Sequence, residues 1–189
     1  MYDNVDLVLS RAGAMTIAEL IKFEKPSILI PFKYSSENHQ HYNAKYLQDN
    51  LCSKLIEEDN FKLIDFFTPN ETEAEFYLNK NIKTDKDIKN AANEFLKKGI
   101  KNVIITLGEK GIYFANTKEN FFLEAYNLKQ AVIDTTGAGD AFNGAFAVGL
   151  ANDLDIKEAL SFANKVAGIS TTRLGAAASM PFAKELENY

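Results

Sequence analysis

In the run DTTGAGDAF, residues 134–142, three small residues (Gly137, Ala138 and Gly139) stand where a helix must begin, and the carboxylate of Asp140 follows at once. With no bulky side chains in the way, consecutive backbone N–H groups at a helix start can face an anion. Asp140, in the first turn, is positioned to stand beside a transferring phosphoryl group and accept the proton of an attacking hydroxyl. Phosphoryl transfer needs both parts together. Two other phosphate motifs fail on spacing: a Walker loop requires GxxxxGK[ST], and a dinucleotide fingerprint requires a third glycine where Phe142 stands. Taken alone, GAGD also reads as a plain turn capped by an aspartate.

The elements that must hold this loop are legible around it. AFNGAFAVGLAN reads as a small-residue helix, and DIKEALSFANKVAGIST as a second one with Ile156, Ala159, Leu160, Ala163, Val166 and Ala167 on its buried stripe. Upstream, VIITLG (103–108) has the continuous apolar character of a strand covered on both faces, punctuated by Gly108 and Gly111, and IYFAN and FFLEAY can form short strands beyond. TDKDIKNAANEFLKKGIKN carries a Thr or Asp cap, a stripe of Ile88, Ala91, Ala92, Phe95 and Leu96, and a closing Gly99. IDFFTPN is an apolar run stopped by Pro69, which delivers Asn70 to a strand's carboxyl end. Earlier still, LVLS (7–10) and SILIPF (27–32) flank a helix with Ile17, Leu20 and Ile21 on one face, a βαβ unit. HQHYNAKYLQDN follows, with Tyr42, Tyr46 and Leu47 as expected core, and LCSKLI is a further strand. Alternating strands and helices predict an α/β three-layer sandwich with a mostly parallel central sheet.

Four features, in order across residues 63–189, resemble the PfkB family of carbohydrate kinases, and the resemblance implies a ribokinase-like fold. TPNETE (68–73) is similar to that family's Asn-x-x-Glu element, implying that Asn70 and Glu73 organise magnesium, its waters and nucleotide phosphates. TLGEKG (106–111) resembles its nucleotide loop and implies contacts from Thr106, Gly108 and Gly111. DTTGAGD would supply the anion hole and the base. FANKVAGISTTRLGAAASMP resembles the closing segment, which implies Asn164 near adenine. It also implies a monovalent-cation site, potassium for instance, built from Asp134, Thr136, Ser170, Arg173, Gly175 and Ser179, mainly through carbonyls. Singly, Asn70 and Glu73 read as a helix cap and TLGEKG as a strand-ending turn.

The first 60 residues carry none of the sugar-site glycine pair or sheet lid that precede TPNETE in that family. DLVLSRAGAMTIAEL, KPSILIPF and ENHQHYNAKYL instead resemble the carboxyl-terminal domain of the bacterial transferases that add N-acetylglucosamine to lipid I. That resemblance implies Glu19 as a ribose-binding carboxylate and Gln40 and Asn43 as sugar-side contacts. Packing is the competing reading, because the acceptor domain and glycine-rich loops of such a transferase are not recognisable. His39 and His41 do not share a helix face, and Cys52 reads as a small core residue. The expected organisation is a chimera of a Rossmann-like βαβ segment (1–62) and a truncated ribokinase-like segment (63–189) in one compact body. Whether the junction near 57–63 is natural or constructed stays open.

Composition bounds the rest. The chain has 189 residues, 46% of them hydrophobic, enough for one core without staples. A net charge of -5 argues against a grip on nucleic acid or anionic lipid. One cysteine permits no internal disulfide, and no apolar run reaches the roughly 18 residues of a membrane span. The expectation is a cytoplasmic protein whose partners are ATP and a small sugar, with magnesium; a homodimer stays open. Three functions follow in order: an ATP-dependent sugar kinase, a nucleotide-binding chimera without turnover, and a UDP-N-acetylglucosamine-binding transferase fragment.

Overall fold

The computed structural model describes residues 5–32, 35–50, 53–57 and 64–188, and the chain divides into two units, Met1–Leu63 and Ile64–Tyr189. Cys52 and most of the expected junction, 58–63, lie outside the described residues.

In the first unit, β1 (Val8–Ser10), α1 (Ala14–Lys22), β2 (Ser27–Leu29), α2 (His39–Asn50) and β3 (Ser53–Leu55) make two successive βαβ crossovers. The sheet order is β1-β2-β3 and both pairings are parallel. Its core is small: Ala12, Leu20, Leu29, Ala44 and Leu47, with Val8, Ile17 and Leu55 packed against them. Tyr42 and Tyr46, expected inside, are 66% and 59% exposed. The inward face of α2 is instead Gln40, Asn43, Ala44 and Leu47, spaced i, i+3, i+4, i+7. Two of those four positions are polar, so the hydrophobic pattern hides the face. Their side chains satisfy backbone groups: Asn43 Nδ2 donates to the Ala12 carbonyl at 3.0 Å, and Gln40 Oε1 accepts the Phe32 N–H at 3.0 Å. Ile21, in the final turn of α1, is also exposed, which narrows that helix's buried stripe to Leu20 and Ile17.

The second unit runs β4 (Phe66–Phe67), α3 (Glu71–Leu78), α4 (Asp85–Lys97), β5 (Asn102–Thr106), β6 (Ile112–Asn116), β7 (Asn120–Leu123), α5 (Ala138–Ala151) and α6 (Ile156–Ser170). Its sheet order is β4-β5-β6-β7. The β4–β5 pair is parallel, whereas β5–β6 and β6–β7 are antiparallel, because tight turns at 108–111 and 116–119 each send the chain straight back. Among the described residues three of the five strand pairings are therefore parallel, in an α/β fold.

Side-chain alternation along β5 splits its burial between two layers. Ile104 joins Ile112 and Phe114 in a cluster with Ala141, Phe142, Ala145, Phe146 and Leu160 from α5 and α6. Val103 and Ile105, equally buried, point to the opposite face, where α4 packs on β5 and β6. Each such fully buried side chain stabilises the fold by about 1.5–3 kcal/mol. Helix punctuation follows the sequence: Thr84 and Asp155 form reciprocal capping boxes with Asp87 and Glu158, and Gly99 after α4 adopts φ 102°. Close packing of α5 on α6 uses the missing side chain of Gly149, where a Cβ would meet Ala159 Cβ at 3.0 Å.

Candidate active site

The strand ends of the second unit deliver the first site residues. Thr106 N donates to the Pro69 carbonyl at 3.0 Å, and Asn70 and Thr106 form a parallel bridge, so the start of α3 lies beside the end of β5. Asn70 caps α3: its Oδ1 accepts the Glu73 N–H at 2.8 Å, and Glu73 Oε2 accepts the Asn70 N–H at 2.8 Å. The cap reading of TPNETE thus holds in the geometry, and it fixes both side chains at the rim of a pocket.

Helix α5 begins differently from its neighbours. Where α3, α4 and α6 each have a capping box, no side chain caps α5, and its N-cap is Gly137 at φ 79°. That φ favours glycine, and a Cβ there would lie 3.0 Å from Ala176 Cα. Ala138 N donates to the Thr135 carbonyl and Ala141 N to the Gly137 carbonyl, which leaves the first-turn N–H groups of Gly139 and Asp140 without an intrahelical acceptor. A Cβ on Gly139 would meet nothing within 4 Å.

Two clefts share Asn70, Thr106 and Gly139. The larger, about 650 Å³, runs past Gly108, Gly111 and Asn164 to an apolar wall that includes Leu128, Val132 and Ala167. The smaller, about 230 Å³, is bounded by Thr68, Glu73, Asp140 and Asn143 besides the shared three. Sequence reasoning missed Thr68, Asn143 and the apolar wall. The signal for Asn143 was its i+3 spacing from Asp140, which places both on one helix face. Among the described residues, neither Asp140 nor Asn143 hydrogen-bonds through its side chain.

Gly111 lines the large cleft, and its own backbone also demands glycine. At φ 95°, a Cβ would overlap the Leu123 carbonyl oxygen and lie 2.5 Å from Ala125 N. Asn164, also on the wall, donates from Nδ2 to the Glu124 carbonyl at 2.6 Å, fastening the segment after β7 to α6.

The residues expected at a monovalent-cation site line neither cleft. Asp134 Oδ1 accepts the Thr136 N–H and Oδ2 the Gly175 N–H, each at 2.9 Å. The Gly175 bond first, and Thr136 second, hold the Asp134 carboxyl below the usual aspartate range. Ser170 and Ser179 are buried and donate to the carbonyls of Ala167 and Ala176. The Arg173 guanidinium pairs with Glu185 at 3.0 Å. Glu19, Gln40 and Asn43 belong to the first unit, where Gln40 and Asn43 are engaged with backbone as described.

Comparison with known proteins adds four findings. The family model described as pfkB family carbohydrate kinase matches residues 34–183. The chain is 40% identical over 135 residues to a ribokinase of Staphylococcus aureus, covering 71% of this chain and 44% of that protein. It spans less than half the length of the ribokinases it matches in sequence. The fold is similar to that of Arabidopsis thaliana ribokinase complexed with ribose and ATP, with a TM-score of 0.66 at 26% identity, covering 99% of this chain and 56% of that one. A 64-residue stretch is 47% identical to the Campylobacter jejuni UDP-N-acetylglucosamine transferase that acts on a pyrophosphoryl-undecaprenol acceptor, covering 34% of this chain and 19% of that protein.

Proposed function

The chain belongs to the pfkB family of carbohydrate kinases, and on that premise we propose that its second unit is the ATP-binding and catalytic part of a sugar kinase. The observation that carries this reading is the uncapped start of α5, where the N–H groups of Gly139 and Asp140 and the Asp140 carboxylate adjoin the cleft edge formed by Asn70 and Thr106. In the proposed reaction, Asp140 takes the proton of a sugar hydroxyl, whose oxygen bonds to the γ-phosphorus of ATP. The bond to the bridging oxygen breaks, and ADP leaves. Backbone N–H groups at the α5 start stabilise charge on the transferring phosphoryl group. The nucleotide would lie in the 650 Å³ cleft, with its base against Leu128, Val132 and Ala167.

Magnesium, when bound, would neutralise phosphate charge. The smaller cleft suits it: its donors are the carboxylates of Glu73 and Asp140, the amides of Asn70 and Asn143 and the hydroxyls of Thr68 and Thr106, all hard oxygens or amides. Among the described residues no three carboxylate, histidine or cysteine side chains are gathered. Such a donor set favours a cation held largely through its waters. For potassium, the residues proposed are Asp134, Thr136, Ser170, Arg173, Gly175 and Ser179. The donor chemistry fits there too, since the Asp134 carboxylate keeps oxygen lone pairs beyond the two N–H bonds it accepts.

One observation favours a second reading, nucleotide binding without turnover: Asp140 is exposed to solvent, and phosphoryl transfer depends on excluding water and orienting the acceptor. We also infer that the amino-terminal segment derives from a transferase of the kind that attaches N-acetylglucosamine to a lipid carrier, supported by the 64-residue similarity and the SRAGAMTIAE and HQHYNA motifs. The test is ADP release from Mg-ATP across ribose, fructose, fructose phosphates and nucleosides with potassium present. Sugar-dependent release that disappears in Asp140→Ala supports the kinase. Mg-ATP binding by calorimetry with no release under any sugar supports the second reading.

A further inference from the structure

Helix α5 has an unusual outer face. Over its 14 residues, AGDAFNGAFAVGLA, Ala141, Phe142, Ala145, Phe146 and Gly149 are buried. The exposed positions beyond the first turn include Gly144, Ala147 and Val148, with no lysine, arginine or glutamate anywhere in the helix. A merely solvated helix face would carry such residues. Asp140 and Asn143 are the only polar side chains α5 possesses, and both line the 230 Å³ cleft. They stand one turn apart on the same face. Opposite them in that cleft are Asn70 and Glu73, already oriented by their reciprocal cap. Asn143 thus presents an amide, with no hydrogen-bond partner among the described residues, to the space between the proposed base and the proposed cation-organising pair.

From this placement we infer that Asn143 is a positioning residue for the divalent cation, its side-chain oxygen accepting from the cation's water shell opposite Asn70 and Glu73. The inference rests on the kinase reading of the second unit and deepens it. An amide suits this role better than a third carboxylate. It orients water as acceptor and donor but adds no negative charge facing the phosphates, and it does not compete with Asp140 for the acceptor's proton. Asn143 contributes no step of bond making.

The test measures ADP affinity by calorimetry, with and without magnesium, in the full chain and in Asn143→Ala and Asn143→Asp. The quantity read is the factor by which magnesium tightens ADP. In Asn143→Ala this factor falls roughly 10-fold, the size typical of losing an outer-shell partner, while cation-free ADP affinity stays at the parent value. Asn143→Asp, which keeps an acceptor oxygen in place, restores most of the factor. An unchanged factor in Asn143→Ala overturns the inference and leaves the kinase reading standing. Equal loss of cation-free and magnesium-dependent affinity also overturns it, since that is the mark of a residue that only shapes the cleft. A parent chain that binds ADP under neither condition overturns the kinase reading and this inference with it.

Discussion

The two units use similar side chains to opposite ends. In the first, Gln40 and Asn43 sit on the inward face of α2 and spend their polar atoms on the backbone of Phe32 and Ala12. In the second, Asp140 and Asn143 sit on the outer face of α5, line a cleft, and have no side-chain partner among the described residues. Polar residues whose hydrogen bonds close within the fold act as packing. Those held in place by the fold but left unbonded are available to a ligand, a state that costs little only where water can reach them. Family resemblance implied binding roles for Gln40, Asn43 and Asp140 alike, and hydrogen-bond use is what separates them.

The largest expected effect tests the open side of that contrast. Asp140→Asn should lower sugar-dependent ADP release by about 10²–10⁴-fold, the usual loss for a general base. Its unfolding free energy in urea should stay within about 0.5 kcal/mol of the parent, because the side chain holds nothing together. Release at the parental rate would show that Asp140 is not the base.

A pair of glycines sharpens the comparison within one cleft. Gly111→Ala forces a Cβ into the Leu123 carbonyl and Ala125 N–H at φ 95°, and should destabilise the chain by about 3 kcal/mol. Gly139→Ala meets open space at the first turn of α5, so stability should change by less than about 1 kcal/mol while Mg-ATP affinity drops. Thermal unfolding and calorimetry on both variants read the two effects. Equal destabilisation would mean that Gly139 is as structural as Gly111.

These cases also mark what could be read beforehand. The order of elements, the capped start of α4 and the stripe of α6 follow from local pattern and carry little tertiary information. The direction of β6 and β7 does not, because it depends on the geometry of the short turns at 108–111 and 116–119 rather than on the apolar runs they join. Tyr42 and Tyr46 are misplaced by the sequence pattern because it counts only apolar residues, and α2 turns two half-exposed amides inward beside Ala44 and Leu47. At the site, Asn70, Glu73, Thr106, Gly139 and Asp140, singled out by motif order, line one or both clefts. Asn143 escaped notice since its one signal, the i+3 spacing from Asp140, matters only once Asp140 is known to line a cleft. That Asp134 would spend both oxygens on N–H groups 2 and 41 residues away was likewise beyond local reading.

On the closed side, Asn43→Ala removes the bond to the Ala12 carbonyl and should cost about 1 kcal/mol of stability. Mg-ATP affinity should stay at the parental value. Loss of nucleotide binding in this variant would break the division between packing amides and ligand-facing ones.

The smallest effect separates the units by acid sensitivity. Among the described residues the carboxyls held below their ordinary range are Asp87, Asp134 and Glu185, all in the second unit. Their causes are hydrogen bonds to the charged form: chiefly the Thr84 hydroxyl for Asp87, the Gly175 N–H for Asp134 and the Phe182 N–H for Glu185. A carboxyl with a depressed folded-state value contributes stability that is fully present above its unfolded value, about 4. That contribution is lost as pH falls through the lower folded one. Asp134→Asn keeps one acceptor oxygen but cannot accept the Gly175 N–H as well. It should therefore lie below the parent at pH 7, with a gap that narrows as the pH falls below about 4. The Asn43→Ala gap has no titrating group in it and should hold constant over the same range. Urea unfolding followed by circular dichroism from pH 7 to 2.5 reads both gaps, and an Asp134→Asn gap as flat as that of Asn43→Ala would remove the charged hydrogen bonds as the source of the difference.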